Sequence, residues 1–440
     1  MNAPRDAAGR LGGTLPLGRA LAAGTLAAVA LTGCLGPAGS ARVASAEASG
    51  DGTLRIGLIL DNTGPQNFLN APQLAAAKLA VKEINAAGGH KGKPVELLPE
   101  TISTDTAAQA KALVAAKADV VIGPTDSSRA PAAIDVLANA KVAVISPANS
   151  ASGLSNYKSG GYYFRTSAAD IAQASVLAKL AKDGGAGTLA VLHEKGNYGK
   201  NVASAVAGAA KQSGLEVVAD AEFTPGQAQQ AAATAKAANP DAVVLVSRDG
   251  AQGAIAELNN AGLAGKKLVL SDAAVSRYGS GLGARALEGA RGVLPGVFPS
   301  APFQKDLVAV DPGLKDMVFA AETYDAVILA AVAAAAAEDD AGTSIAASLV
   351  GVSGGTAAAG GNAAGGGQPA SQPPSESCRS YQDCIDVLRA GKRPDYDGQS
   401  GRINFDSHGD ITEANYMAYT YGEDNLPTMS GTETASSSGG

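Results

Sequence analysis

Short apolar runs recur along this chain, each followed by a longer stretch in which apolar positions return every three or four residues. The first is "TLRIGLIL", where the run from Leu54 to Leu60 has the length and continuity of a strand buried on both faces. Pro72 then opens "PQLAAAKLAVKEINAAGG", in which Leu74, Ala77, Leu79, Val81 and Ile84 fall at near-helical spacing and Gly88-Gly89 marks the stop. The alternation continues with "PVELLPE" as strand, "TAAQAKALVAAK" as helix, "ADVVIG" as strand, "APAAIDVLANA" as helix and "KVAVISP" as strand. Strands alternating with helices of about 10–15 residues predict a parallel sheet covered by helices on both faces. The rhythm then restarts: "GTLAVLHEKG", "LEVVADAEF", "DAVVLVS" and "KKLVLSD" read as strands, with the helices "NVASAVAGAAKQSG", "QQAAATAKAAN" and "AQGAIAELNNAG" between them. The pattern therefore predicts two similar α/β lobes, each a doubly wound parallel sheet, in place of one large sheet.

Beyond the second lobe the pattern predicts a helix from Lys315 to about Ala337, a short helix "YQDCIDVLRAGK", a turn-rich hairpin "YDGQSGRINFDSHGD" and an alternating strand "NYMAYTYG". Between these, residues 354–377 are so rich in Gly, Pro and Ser that they cannot bury enough apolar surface to order themselves. The amino end has a different character. Arg5, Arg10 and Arg19 precede an apolar segment from Leu21 to Leu31, too short to span a bilayer, and this is the layout of an export signal. The closing "LTGC" resembles a bacterial lipobox, which would make Cys34 the lipidated first residue of the mature protein; an ordinary secreted protein is the competing reading. Residues 34–52, rich in Ala, Ser and Gly, suit a flexible tether.

Composition narrows the function. With 34 basic against 41 acidic residues the chain carries a formal charge of −7, and loss of residues 1–33, which hold three Arg and one Asp, makes it −9. No basic face is available for nucleic acid. There is no Trp, and aromatics make up 4% of the chain, so its cores must be built from Ala, Val, Leu and Ile. After Leu31 the longest charge-free apolar run, Ala326 to Ala337, is too short for a second membrane anchor. Cys378 and Cys384 lie six apart on the exported side, so a local disulfide is expected; a zinc pair would need two more ligands, and His90, His193 and His408 show no metal-type spacing. No nucleophile elbow, phosphate loop or metal helix is present, and "GSGLGARALEG" has no strand leading into a dinucleotide turn, so no enzyme and no cofactor are expected.

Eight stretches in order, "LRIGLILDNTGP", "AAKLAVKEINAAGGHKGKPVEL", "VVIGPTDSSRAPAA", "VAVISPANSASGL", "HEKGNYG", "LVLSDAAV", "ETYDAV" and "YDGQSGRINFDSHGD", resemble the type I periplasmic substrate-binding proteins of the branched-chain amino-acid class. Those proteins are the extracytoplasmic components of ABC importers. The resemblance runs from Thr53 to about Asp424 and implies two lobes joined by a three-crossing hinge: 53–166 and 298–400 in the first lobe, 167–297 and 401–427 in the second, with 428–440 a disordered tail. It also implies a monomer, tethered to the cell membrane, that passes an amino acid or related solute to a permease.

A zwitterion needs donors for its carboxylate and an acid for its ammonium group. By the resemblance, Ser127 and Ser128 flank one carboxylate position, and Ala148 and Ser150 occupy the other. Helix capping is the competing role for these loops. Asp272 stands where the family places its ammonium-binding acid, Tyr198 matches a tyrosine that covers the ligand, and Tyr324 is a weaker match on a helix. "VSRDGAQ" departs from the family: Ser247, Arg248 and Asp249 stand where an aromatic is common. Either Arg248 and Asp249 point to solvent, or they enter the cleft and the ligand is polar or charged. A sensor lobe pair serving a signalling partner would carry the same residues.

Overall fold

The computed structural model describes residues 49–355 and 374–436. The signal segment, Cys34, most of the tether, the bulk of the Gly-rich insertion and the last four residues lie outside them. In the first lobe β1 (Arg55–Leu58), β2 (Glu96–Leu97), β3 (Val120–Ile122), β4 (Ala143–Ser146) and β5 (Tyr163–Arg165) form a parallel sheet in the order β2-β1-β3-β4-β5. Side chains alternate across it. Ile56, Leu58, Val120, Ile122, Ile145 and Phe164 face the helices Asn70–Ala86 and Ala320–Ala337, whereas Val121, Val144 and Tyr163 face Leu113, Ile134 and Leu137. Each fully buried aliphatic side chain contributes about 1.5–3 kcal/mol, so both faces of every central strand stabilise this lobe.

The second lobe holds β6 (Thr188–Glu194), β7 (Glu216–Phe223), β8 (Ala242–Val246), β9 (Leu268–Leu270) and β10 (Arg291–Pro295). Leu192, Leu245 and Leu270 face one helix layer, and Val191, Val244 and Val269 face the other. On the first lobe, β11 (Ser375–Cys378), β12 (Arg393–Gly398) and β13 (Gly401–Arg402) make a small third sheet. The chain then returns to the second lobe as β14 (Glu413–Tyr421) and β15 (Pro427–Ser436), giving the order β15-β14-β10-β9-β8-β6-β7 with the last two strands antiparallel. The chain thus passes between the sheets three times, after β5, β10 and β13. The crossings are tied together: the Arg165 amide donates to the Gly409 carbonyl at 2.9 Å, and Gly296 to Asn415 at 2.8 Å.

Several boundaries differ from the sequence reading. Residues 427–436 form an ordered edge strand where a disordered tail is expected, because β14 would otherwise expose a row of unpaired backbone groups and Thr428, Thr432 and Thr434 suit extended backbone. Order begins before Thr53: the amides of Gly50, Gly52 and Thr53 donate to the carboxylates of Asp339 and Asp340 at 2.9–3.2 Å. At the carboxyl side of the insertion, Ser375 already pairs with Arg393. The long apolar helix starts at Ala320 instead of Lys315, since Phe319 takes a left-handed φ of 59° that interrupts helical backbone. It is the one described helix apolar and long enough to cross a membrane, and 78% of it is buried in the first lobe's core. The helix Gly342–Val352 was not read from the sequence; it has almost no polar face to set a period.

Candidate functional site

Two loops of the first lobe leave the carboxyl ends of β3 and β4, and buried polar side chains hold their shape. Gly123 ends β3 at a φ of 109°, where a Cβ would meet the Ile59 carbonyl at 2.5 Å, so the turn requires glycine. Asp61, fully buried, accepts from the amides of Thr125 and Asp126 at 2.9 and 3.1 Å. Asn149, also fully buried, donates to the Thr125 carbonyl at 2.9 Å and accepts from the Tyr163 hydroxyl at 3.1 Å. The Ser127 hydroxyl oxygen takes the amides of Ser150 and Ala151 at 3.1 and 3.3 Å, which stitches one loop to the other and leaves its own proton to give. Ser128 folds back on Asp126 through its amide and hydroxyl at 2.8 and 2.7 Å. Arg165 lies beneath, wholly buried, donating to the carbonyls of Asn149 and Ala151 and forming a two-bond pair with Asp410 at 2.7 and 2.8 Å.

Across the cleft the second lobe presents an acidic pair. Asp272, just beyond β9, receives the Tyr198 hydroxyl and the Gln173 amide on one carboxylate oxygen, the latter at 2.8 Å. Gln173 closes the circuit by accepting the Asp272 backbone amide at 3.0 Å. Burial and the neighbouring Asp272 raise the Tyr198 phenol well above its ordinary value. Asp170 lies nearby at 6% exposure, with Oδ1 unpartnered among the described residues. Burial and then Asp272 push its carboxyl up, against the opposing influence of the Ser150 hydroxyl, Arg248 and Arg165. The Arg248 guanidinium is 3.5 Å from Asp170 Oδ2 and 4.2 Å from the centre of the Tyr198 ring. Its loop is fixed by Glu194, which accepts from the Ser247 hydroxyl at 2.6 Å and from the amides of Arg248 and Gly250 at 2.8 and 3.0 Å.

These groups surround a cleft cavity of about 640 Å³, into which Ser127, Ser128, Ala148, Ser150, Asp170, Tyr198 and Arg248 all face. A second cavity of about 600 Å³ lies against the three crossings, sharing Ala148 and Ser150 with the first and carrying Asp272 on its wall. Six of the seven residues singled out as ligand-binding thus gather at the junction of the lobes. Tyr324 does not. It is buried in the first lobe's core, packed edge-on against Phe303 at 5.4 Å and donating its hydroxyl to Glu83, so the helical core role is the correct one. Asp170, Gln173 and Arg165 escaped the sequence reading. Asp170 alone carried a signal there, as a single acid in the small-residue stretch that follows the first crossing. Arg248, its side chain half exposed, and Asp249 both line the cleft cavity instead of pointing wholly to solvent. Among the described residues no His, Cys, Asp and Glu group is arranged to hold a metal ion. Cys378 and Cys384 are joined as a disulfide.

The sequence matches the family described as periplasmic binding protein over residues 53–372. It is 32% identical over 208 residues to Leu/Ile/Val-binding protein homolog 3 of Brucella melitensis, an alignment covering 44% of this chain and 53% of that protein. The chain spans about half the length of the curated relatives it matches. Among solved structures, the branched-chain amino acid transporter substrate binding protein of Streptococcus pneumoniae, in complex with isoleucine, superposes with a TM-score of 0.59 at 21% identity, over 87% of this chain and 99% of that one. The ABC transporter substrate-binding protein of Desulfitobacterium hafniense, in complex with Leu, gives a TM-score of 0.61 at 19% identity, over 86% and 100%.

Proposed function

The chain belongs to the periplasmic binding protein family, and from that premise we propose that it is an extracytoplasmic, lipid-anchored solute-binding protein that captures an amino acid between its lobes and passes it to an ABC transporter permease. The observation that carries this reading is Asp170: a buried carboxylate with a free oxygen, beside a second acid and facing serine hydroxyls across the cleft. A desolvated acid of this kind stabilises a ligand ammonium group strongly. Ser127 and Ser150 offer hydroxyls to the ligand carboxylate, Ser128 and Ala148 shape the pocket around it, Tyr198 supplies an apolar wall, and Asp272 adds negative charge while fixing that wall through its hydrogen bond.

In this reading Arg248 occupies the ammonium position when the cleft is empty, since it already pairs with Asp170 over the Tyr198 ring. An arriving amino group displaces it, and the freed guanidinium remains at the rim to meet a polar or acidic side chain. The anchor rests on the "LTGC" sequence at Cys34 and is checked by mass spectrometry of the membrane-extracted amino terminus. The function is tested by a thermal-shift screen over amino acids, amides and urea-like solutes followed by calorimetry. A true ligand at about 100 times its Kd adds about 2.7 kcal/mol to stability. Stabilisation by at least one free amino acid at a stoichiometry of one is the expected result; stabilisation only by solutes lacking an amino group overturns it.

A further inference from the structure

The part of the cleft that holds Asp170 has no aliphatic wall. Val, Leu, Ile, Met and Phe are absent from its lining among the described residues, and Tyr198 is its one aromatic. Two features there attract an anion, in addition to the Ser127 and Ser150 hydroxyls. The first is the amino end of the helix Asn197–Gln212. Gly196 leads into it at a φ of 136°, and no side chain caps it. A Cβ on Gly199 would meet the Glu194 carbonyl at 1.8 Å, so bare backbone lets the first turn sit directly on the end of β6, where Asn197, Tyr198 and Gly199 line the cleft. The first amides of a helix have no acceptor within it and carry a partial positive charge. The second feature is a pair of cations. The Arg248 guanidinium lies 4.2 Å from the centre of the Tyr198 ring, in that same first turn, and Lys195 is exposed on the wall just ahead of it.

The acids of this wall are occupied, with one exception. Glu194 accepts from the Ser247 hydroxyl and the amides of Arg248 and Gly250. Asp126 accepts from the Ser128 amide and hydroxyl and has Arg129 at 3.5 Å, while Asp249 is exposed at the rim. Asp170, 6% exposed and with Oδ1 unpartnered among the described residues, remains to take a cation, 3.5 Å from Arg248. One ammonium group and two carboxylates on a single ligand satisfy this arrangement. The ammonium goes to Asp170 and one carboxylate to the hydroxyls of Ser127 and Ser150. The other carboxylate meets the helix end and gives the displaced Arg248 a new ion pair.

Resting on the amino-acid reading above, we propose that the cleft selects an acidic amino acid, glutamate or aspartate, in place of a branched-chain one, with Arg248, Lys195 and the amino end of the helix Asn197–Gln212 receiving its side-chain carboxylate. Beyond Ala148 and Ser150 the cleft runs on toward the crossings past Leu294, Val297 and Met417, where an aliphatic side chain would lie, so leucine is the competing ligand.

The test is calorimetry of the purified protein with L-glutamate and L-aspartate, their amides L-glutamine and L-asparagine, L-leucine, and the amine-free dicarboxylates glutarate and succinate. One of the two acidic amino acids is expected to bind at one site, at least about tenfold more tightly than its amide and than L-leucine. Arg248→Gln should shrink the acid-to-amide affinity ratio to within about threefold, and Lys195→Ala should reduce it in part. The ratio is internal to each variant, so a general loss of stability does not imitate its collapse. An amide or L-leucine that binds as tightly as the better acid overturns the acidic assignment and leaves the amino-acid reading standing. A dicarboxylate that binds as tightly as the matching amino acid overturns the amino-acid reading, and this proposal with it. A ratio unchanged in Arg248→Gln, or no binding of either acidic amino acid at about 10 mM, also overturns the proposal.

Discussion

Two residues that never touch each other set the terms of the cleft. Asp170 has the free oxygen and the raised carboxyl. An ammonium ligand requires its ionised form, so affinity should fall as pH drops through the elevated Asp170 value and be full above it. Asp170→Ala is expected to cost about 2–5 kcal/mol of binding, or roughly thirty-fold to several-thousand-fold in Kd, with circular dichroism unchanged; calorimetry at two pH values checks both statements. Arg165 acts from below, through the carbonyls of Asn149 and Ala151 in the loop that carries Ser150. Arg165→Met strands the Asp410 carboxylate and should destabilise the fold by about 3–5 kcal/mol. Although burial works against it, the pairing with Arg165 holds the Asp410 carboxyl below its ordinary value of 3.8. The pair's stabilisation is therefore complete above that value and lost as pH falls through the still lower folded value. Acid denaturation of parent and variant should converge there. The position of Ser127, Ala148, Ser150, Tyr198 and Asp272 at the junction of the lobes was legible because each follows a strand in a short recognisable stretch. Arg165 was not, because its partner lies 245 residues away and nothing local distinguishes it from any exposed arginine.

At the level of elements, the alternation of apolar runs with helical periods located eight of the ten strands β1–β10, all but Tyr163–Arg165 and Arg291–Pro295, since burial on both faces leaves a continuous run, but it passed over the helices Gln173–Asp183 and Ala301–Val310. Where burial is total the period disappears, and Gly342–Val352 was missed for that reason. The edge strand β15 was missed for the opposite one: Ser, Thr, Gly and Glu dominate its sequence, and only the open side of β14 orders it. The short helix Tyr381–Arg389 stands between these cases. It buries Tyr381, Cys384 and Val387 on the first lobe, and the disulfide to Cys378 pins its first turn to β11. Closing so small a loop constrains the unfolded chain modestly. Replacing both cysteines with Ser should lower stability by about 2 kcal/mol in a urea titration while leaving ligand affinity unchanged, because neither lies at the cleft.

For the whole molecule, the sheet of the second lobe has two free margins, and each is kept from pairing with another chain. At one, β7 carries Glu216, Asp220 and Glu222. At the other, β15 is a ten-residue strand whose side chains are mostly exposed and polar, and it shields β14, which alternates buried Ala414, Tyr416 and Ala418 with half-buried neighbours. Uncovered, β14 would present a long apolar strand with a full row of unpaired backbone donors and acceptors, the geometry that nucleates edge-to-edge association. Deleting residues 427–440 should therefore make the protein associate as its concentration rises, seen as a mass that grows with concentration in light scattering coupled to gel filtration. A truncated protein that stays monomeric at high concentration would refute this. The polar strand β15 thus serves a task of its own, as a cap that keeps the open edge of β14 in one copy from joining the sheet of another.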